Sequence, residues 1–318
     1  MKEKDFQQLA TLASRAPSGH NTQPWLFDQE GDTFIIRPDF SKALPVVDPD
    51  HRELYISLGC AAENTLLAGG KQLTIDNGQK QLTIDNGQLT IKIPKEKIVN
   101  CPLSIVNSIT SRQMNRRLYN RHPITAKSLS ALTAVRPEAN TNFYLWENGS
   151  EPFERLKPFI RKGNEIQMND PAFLAELKSW IRYNKRQAEA TRDGLSYAVF
   201  GAPNLPACLS KAIMGNMLKS SVQNRSDMKK LASASHVALF TTQHNTIEEW
   251  IRLGQTLQRF LLATTQEGIA TAFLNQPCEV RSLAEEIRET FPIHREFPTL
   301  LLRLGYAKPM PYSLRRAI

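Results

Sequence analysis

The stretch from residue 16 to residue 25 constrains the fold more than any other part of the sequence. It reads Ala-Pro-Ser-Gly-His-Asn-Thr-Gln-Pro-Trp and follows a run of apolar residues at helical spacing, residues 5 to 16. Pro17, Ser18 and Gly19 favour turns and disfavour continuation of a helix. The sequence therefore predicts a helix that ends in a stiff, polar loop, which leads directly into a strand.

This loop carries side chains suited to holding a polar, planar ring. Ser18, Asn21 and Gln23 offer hydrogen-bond donors and acceptors from a turn stiffened by two prolines. The alternative is structural: the loop only ends the helix through an Asx-type turn, and Trp25 fills the core. The residues of the loop by themselves leave both interpretations open.

The remaining pattern mixes helices and strands, which indicates the α+β class. The helix predicted at residues 52 to 67 is apolar nearly all round, so we expect it to be buried. Residues 25 to 27 and 33 to 36 are typical of a hairpin across Gly31. The other predicted helices cover residues 103–109, 126–135, most of 151–224, 246–267 and 280–290, and the other predicted strands cover 143–146, 236–241, 270–274 and 299–306.

A tandem duplication follows the buried helix. Nine residues, Lys-Gln-Leu-Thr-Ile-Asp-Asn-Gly-Gln, occupy positions 71–79 and occur again at 80–88. Asn-Gly favours a tight hairpin turn, and Leu73/Ile75, Leu82/Ile84 and Leu89/Ile91 alternate with polar residues. The sequence therefore predicts a three-stranded meander, an elongated surface hairpin.

Composition excludes several classes of protein. With 318 residues and 41% hydrophobic residues, the chain can bury a core of one large unit or two closely packed units. Its four cysteines have no C-x-x-C spacing, and there is no signal peptide and no apolar run of about 18 residues. We therefore expect a cytoplasmic protein with neither disulfides nor a membrane partner.

The net charge of +9 raises the question of nucleic acid. The densest basic cluster, Arg112, Arg116, Arg117 and Arg121, is not interleaved with the aromatic residues that stack on bases in a single-strand groove. We therefore expect no nucleic-acid partner, and a site for one anionic cofactor explains the cluster better.

Common catalytic motifs are absent from the sequence. It contains no G-x-G-x-x-G after a strand, no P-loop, no G-x-S-x-G elbow and no histidine spacing typical of a metal site. Arg112 and Arg116 are four residues apart, which on a helix places both on one face, where one could bind phosphate and the other a ring edge. A solvated basic face is the alternative.

The loop at 16–25 closely resembles the A-P-S-x-x-N-x-Q-P-W signature of the FMN-dependent nitroreductases. In that family the loop packs against the flavin ring and ribityl chain, so the resemblance implies an FMN site. The flavin contacts that it implies here are Pro17, Ser18, Gly19, His20, Asn21 and Gln23.

Three further segments are similar to family elements. The segment Ser111–Tyr119 resembles the phosphate-binding helix start, which implies contacts from Arg112, Asn115 and Arg116, although Met114 stands where many relatives have a serine. The segment 268–275 resembles the one that runs across the flavin, which implies Leu274 and Asn275. The C-terminal basic residues Arg315 and Arg316 correspond to a terminal residue on the phosphate, unless they form only a basic tail.

The order of these elements resembles the internally duplicated, Acg-like branch of the family. The loop comes first and the arginine segment follows about a hundred residues later, so one chain imitates the usual homodimer. This implies a nitroreductase-like α+β fold with halves at 1–110 and 111–318, a lid at 180–206, and one complete site per chain. Further dimerisation stays open.

The resemblance implies an FMN-dependent oxidoreductase. NADH or NADPH reduces the flavin, which then reduces a nitro, quinone or similar small-molecule acceptor in a ping-pong cycle. The flavin carries the chemistry, so no side chain is assigned a catalytic role and no metal is expected. The alternative is a lidded flavin-sequestering stress protein with little turnover.

Overall fold

The computed structural model describes residues 1–69, 82–85, 88–92 and 102–318. Helices and strands alternate irregularly along the chain, as expected for the α+β class. The helices are α1 (Glu3–Ala13), α2 (Arg52–Ala68), α3 (Leu103–Ser111), α4 (Ala126–Thr133), α5 (Glu151–Asn169), α6 (Pro171–Trp180), α7 (Lys185–Thr191), α8 (Ala207–Met217), α9 (Ser220–Ala232), α10 (Ile247–Gln266), α11 (Gln276–Glu279) and α12 (Arg281–Thr290). The strands are β1 (Trp25–Glu30), β2 (Thr33–Pro38), β3 (Leu82–Asp85), β4 (Gln88–Lys92), β5 (Thr141–Glu147), β6 (Ile181–Arg182), β7 (Leu195–Ser196), β8 (His236–Thr242), β9 (Ala270–Phe273) and β10 (Phe297–Gly305).

The first half of the chain builds an antiparallel sheet in the order β1-β2-β4-β3. The predicted hairpin across Gly31 is confirmed, since Glu30 pairs with Thr33 and Gly31 has a φ of 58°. Two of the three strands predicted for the tandem repeat are also confirmed as β3 and β4. The strand predicted at Leu73 and Ile75 lies outside the described residues.

The second half builds another antiparallel sheet, in the order β5-β8-β10-β9. Strand β8 is buried along its whole length, because helices cover both faces of this sheet centre. The predicted strands of this half and the α+β class are therefore confirmed. A third, two-stranded sheet of β6 and β7 is parallel and was not predicted.

The two halves meet where α2 and α10 cross at two glycines. A Cβ on Gly59 would overlap the carbonyl oxygen of Ile251, and a Cβ on Gly254 would overlap that of Ile56. Each glycine thus faces the carbonyl three residues before the partner's glycine. Reciprocal contacts of this kind are typical of an interface between equivalent elements around a two-fold axis.

One apolar core joins the two halves. It includes Leu9 of α1, Leu58 of α2, Leu261 of α10 and Leu302 of β10, all at most 1% exposed. Trp25 is part of this core, so the structural role that the sequence allowed for it is correct. This shared core fixes the loop after α1 relative to the second half of the chain.

One local prediction was wrong. The arginine-rich segment after Ser111 is not helical, because α3 ends at Ser111 and Arg112 has an extended ψ of 130°. The backbone N–H of Asn115 donates instead to Thr271 of β9, at 2.8 Å, and Met114 bridges the same residue. This tertiary pairing overrides a local helix propensity.

The helix predicted at 280–290 is confirmed as α12, and a separate turn, α11, precedes it and has Pro277 in its first turn.

Candidate functional site

A cavity of about 280 Å³ lies between the two halves. The loop after α1, helix α2, the extended segment after Ser111, the start of α11 and the C-terminal tail all contribute to its walls. Several residues predicted to contact the cofactor line it: Pro17, Ser18, Gly19, His20, Asn21, Arg112, Arg116, Asn275 and Arg315. Its volume is close to the lower end of the range for small-molecule sites.

The loop after α1 holds three non-glycine residues in the left-handed region of backbone space. The φ angles of His20, Asn21 and Gln23 are 48°, 57° and 56°. Such conformations cost energy and persist where surrounding contacts enforce them. Here the backbone N–H of Gln23 donates to Ser18 Oγ at 3.0 Å, and Arg315 Nη1 donates to Asn21 Oδ1 at 2.8 Å.

Arg112 is the most deeply buried cation of the cavity wall, with 6% of its surface exposed. Its Nη2 donates to the carbonyl oxygen of Arg15 at 2.8 Å, but its Nε and Nη1 have no hydrogen-bond partner. Burial lowers its pKa to about 10, so it remains charged at neutral pH. A buried cation with two unpaired N–H groups on a cavity fits an anionic ligand.

Arg315 and Arg116 add positive charge to the same cavity; with Arg112 they form what we call the arginine cluster. Arg315 donates to the carbonyl oxygens of Ser14 and Ala16, at 2.7 and 3.2 Å, and so ties the C-terminal tail to the end of α1. Burial, with the nearby charge of Arg112, lowers the pKa of Arg315 to about 9. Burial also lowers the pKa of Arg116.

Other predicted cofactor contacts do not line the cavity. Gln23 bonds to the tail, because its Oε1 accepts from the backbone N–H of Arg316 at 2.8 Å, while Arg316 pairs with Asp39 at 3.6 Å. Asn115 donates to Lys308 O at 2.8 Å. Leu274 is 3% exposed in the second core cluster. The flavin contacts predicted for these four residues stay predictions.

The segment predicted as a lid packs on the loop after α1. Asn21 and Gly194 are joined by two hydrogen bonds, Gly194 N to Asn21 O at 3.1 Å and Asn21 Nδ2 to Gly194 O at 3.2 Å. Leu195 of β7 reaches the cavity wall. That this segment opens and closes as a lid stays a prediction.

Sequence reasoning missed two carboxyl groups on the cavity wall, Glu53 of α2 and Glu279 of α11. Asn275 Nδ2 donates to both, at 2.5 Å to Glu53 Oε1 and 3.1 Å to Glu279 Oε1. Removal from bulk water, followed by mutual repulsion, raises the pKa of Glu53 well above its usual range, and burial raises that of Glu279. The signal available in the sequence was an acidic residue inside a helix that is otherwise apolar nearly all round.

Three further titratable side chains of the wall are those of His20, Cys60 and Tyr312. Burial, then the charge of Arg116, lowers the pKa of His20 to about 4. Burial raises the pKa of the Cys60 thiol, which donates to Gly254 O at 3.1 Å. Tyr312 donates its hydroxyl to Ser111 O at 3.1 Å.

Apolar side chains complete the cavity, among them Ile56, Leu257, Phe273 and Leu300. A site with apolar walls and a few fixed polar groups is typical of small-molecule binding. Across the described ranges, no group of three or more His, Cys, Asp or Glu residues is placed to hold a metal ion. Nor does any helix within those ranges have the length and apolar character needed to cross a bilayer.

Two proteins of Mycobacterium tuberculosis are similar in sequence to this chain along nearly its whole length. A Mycobacterium tuberculosis protein, provisionally named an NAD(P)H nitroreductase, is 26% identical over 98% of this chain and 88% of its own length. The M. tuberculosis protein Acg, provisionally named in the same way, is 21% identical over 98% of this chain and 93% of its own length. No protein-family model matches the chain.

Solved nitroreductase structures align with part of the chain. The FMN-dependent nitroreductase NfnB of Mycobacterium smegmatis, solved with NADPH, covers 65% of this chain and 88% of its own, with 14% identity and a TM-score of 0.42. The predicted resemblance to nitroreductases, Acg included, is confirmed by the full-length relatives. The prediction of an NAD(P)H-dependent nitroreductase agrees with the names of the two M. tuberculosis relatives.

Proposed function

We propose that the cavity binds FMN and that this chain is an NAD(P)H-dependent flavin oxidoreductase. The observation that carries the proposal is the buried guanidinium of Arg112, whose Nε and Nη1 have no partner. Arginine cannot escape the cost of burial by losing its proton at neutral pH, so it needs an anion. The phosphate of FMN is an anion of the right kind.

The other walls suit the rest of that cofactor. The arginine cluster would hold the phosphate, and the loop after α1 would offer the hydroxyl of Ser18 and its backbone groups to the polar part of the molecule. Ile56, Leu257 and Phe273 would pack against an apolar ring face. The ring of His20 is uncharged and would add no positive charge to that of the arginine cluster.

Bound FMN supplies two-electron and one-electron transfer. The protein would position the cofactor and exclude water, while the positive charge of Arg116 favours negative charge that develops nearby. NADH or NADPH and the acceptor would use the same cavity in turn, which is a ping-pong cycle. Nitro compounds are the first proposed acceptors, in keeping with the name NAD(P)H nitroreductase given to the relative, and quinones are the second.

We also propose that one chain forms one complete site from its two halves, 1–110 and 111–318. Support comes from the reciprocal crossing of α2 and α10 and from the cavity, whose walls include residues of both halves. Segment 180–206 would act as the lid of that site. The cytoplasm is the proposed location, in keeping with the free thiols of Cys60, Cys208 and Cys278.

An anaerobic absorbance titration tests the function. The protein is saturated with FMN, excess flavin is removed, and the visible spectrum is followed after NADH or NADPH is added. We expect one FMN per chain that bleaches within seconds and recovers its colour when a quinone is added.

Two other outcomes would contradict the proposal. Protein that retains no FMN would refute the cofactor assignment. Tightly bound FMN that neither nucleotide reduces would instead support the flavin-sequestering alternative.

A further inference from the structure

Two carboxyl groups touch on the cavity wall without a cation between them. Asn275 Nδ2 donates to both Glu53 Oε1 and Glu279 Oε1. Gln167 Nε2 donates to Glu279 Oε2 at 2.5 Å. The two carboxyls are themselves within hydrogen-bonding reach. The fourth oxygen, Glu53 Oε2, points towards the loop after α1, since it would lie 3.1 Å from a Cβ on Gly19.

The charges around this carboxyl pair do not neutralise two negative groups. Glu53 faces Glu279 and Asp48, and Arg52 is the cation that acts on both members of the pair. Arg52 also donates Nη2 to Cys278 O at 2.9 Å. Asp48 accepts from the backbone N–H groups of Glu53 and Leu54, at 3.0 Å each, and is therefore held as an acceptor.

Two carboxyls in contact and away from bulk water are stable when one proton lies between them. We infer that Glu53 and Glu279 share one proton and that this pair donates it to the electron acceptor in the cavity. This inference rests on the proposed function. The direction of the pKa shifts, upward for both groups, supports it.

In the proposed step, one proton moves from the carboxyl pair to the acceptor after the acceptor has been reduced. Reduced FMN, if bound, would supply a hydride equivalent, two electrons and one proton, and a quinone that received it would carry a negative charge on one oxygen. The O–H bond of the carboxyl pair breaks, a new O–H bond forms on that oxygen, and the product is the neutral hydroquinone. The pair is left with both carboxylates ionised and regains its proton from water.

Other titratable groups lining the described cavity wall are poor donors at neutral pH. The arginines hold their protons, His20 is already neutral, and Cys60 has a raised pKa. Tyr312 uses its hydroxyl on Ser111. The carboxyl pair is the group with a transferable proton, and it borders two of the segments predicted to contact flavin, the loop after α1 and Asn275.

The shared proton is tested without cofactor by infrared spectroscopy at neutral pH. We expect a carbonyl stretch of a protonated carboxyl in the wild type, lost in both Glu53→Gln and Glu279→Gln, because the remaining carboxylate ionises. Glu285→Gln, which removes an exposed carboxylate from α12, is the matched control and should keep the band. A wild type without the band, or a band that survives Glu53→Gln, would overturn the inference.

The donor role is tested by separating the two half-reactions in rapid mixing. In Glu53→Gln we expect oxidation of the reduced protein by a quinone to slow about a hundredfold at neutral pH, far more than its reduction by NADPH changes. The wild-type oxidation rate should fall as the pair ionises with rising pH, and the rate in Glu53→Gln should not. The Glu285→Gln variant should match the wild type in both half-reactions.

The outcomes separate this inference from the proposed function. Normal reduction with an unchanged oxidation rate in Glu53→Gln would refute the donor role alone. Failure of NADPH and NADH to reduce bound flavin in the wild type would refute the proposed function and, with it, the donor role.

Discussion

The cavity wall contains two sets of buried ionisable groups, the arginine cluster and the carboxyl pair, and burial leaves them in different charge states at neutral pH. Arg112 in the arginine cluster stays charged, because even a pKa lowered to about 10 lies far above neutral pH. In the carboxyl pair, Glu53 is pushed towards its neutral form. A buried guanidinium therefore requires an anion from outside the protein, whereas a buried carboxyl pair relieves its repulsion by keeping a proton.

This difference indicates which wall binds and which wall reacts. The unpaired N–H groups of Arg112 can donate hydrogen bonds to a bound anion. The two carboxyls, which both accept from Asn275, can hold one proton between them. Helix α2 carries one member of the carboxyl pair, Glu53, and its Ile56 and Cys60 also line the cavity.

The largest effect on the free energy of unfolding is expected when α2 is displaced from α10. In Gly59→Ala the new Cβ overlaps the Ile251 carbonyl, so the helices must separate, and we expect a loss of about 3 kcal/mol in the free energy of unfolding. Chemical denaturation measures it. The control is Gly215→Ala, where a Cβ meets nothing within 4 Å; it should be neutral or slightly stabilising. Equal stability of the two variants would contradict the tight crossing.

Removal of one cation from the arginine cluster should weaken FMN binding. Arg112→Ala deletes the two N–H groups proposed to meet phosphate, so the Kd for FMN should rise about a hundredfold, which is about 2.7 kcal/mol. Fluorescence titration with FMN measures the Kd. Arg117→Ala, at an exposed arginine of the same segment, is the matched control and should leave the Kd unchanged. An Arg112→Ala variant that binds as tightly as the control would rule out the phosphate contact.

The pH dependence of stability sharpens the comparison on the carboxyl side. Because the pKa of Glu53 is raised in the folded state, its contribution to stability is fully present below the ordinary carboxyl pKa and is lost as pH rises through the folded value. The wild-type Tm should therefore fall from mildly acidic to alkaline pH more steeply than the Tm of Glu53→Gln. Calorimetry across this range measures both. Parallel curves would show that Glu53 ionises normally.

The smallest effect is expected at His20, whose ring is partly open to the cavity. Its pKa is lowered to about 4, so the stability linked to its neutral form is present above about pH 6.5 and is lost as pH falls towards 4. His20→Asn should weaken this loss on the acidic side, as followed by Tm without FMN. NMR titration of the His20 ring with a midpoint near 6.5 would contradict the burial effect.

Local pattern in the sequence was enough for most of the fold. Apolar spacing located α2 and α10 within one residue of each end, because each helix buries most of its surface and shows this as a continuous apolar pattern. The alternation in β4 and the Asn-Gly signal likewise predicted the hairpin of the tandem repeat. The loop at residues 17–21 lines the cavity, and its predicted contacts with a flavin stay predictions.

Long-range contacts decided the rest of the site. Arg112 and Arg116 reach the cavity from an extended segment and not from a helix, because Asn115 pairs with Thr271, which lies more than 150 residues away in the sequence. Gln23 and Arg316 were predicted as cofactor contacts, but in the structure they bond to each other. Local propensity carries no information about such distant partners.

The sequence by itself therefore determined the elements, the α+β class and the loop signature, since each depends on neighbouring residues. Tertiary structure alone decided which charges share a cavity. Glu53 and Glu279 are 226 residues apart in the sequence, and the packing of α11 against the start of α2, where Arg52 donates to Cys278 O, brings them together. Their raised pKa values follow from that contact and from burial, neither of which a one-dimensional pattern records.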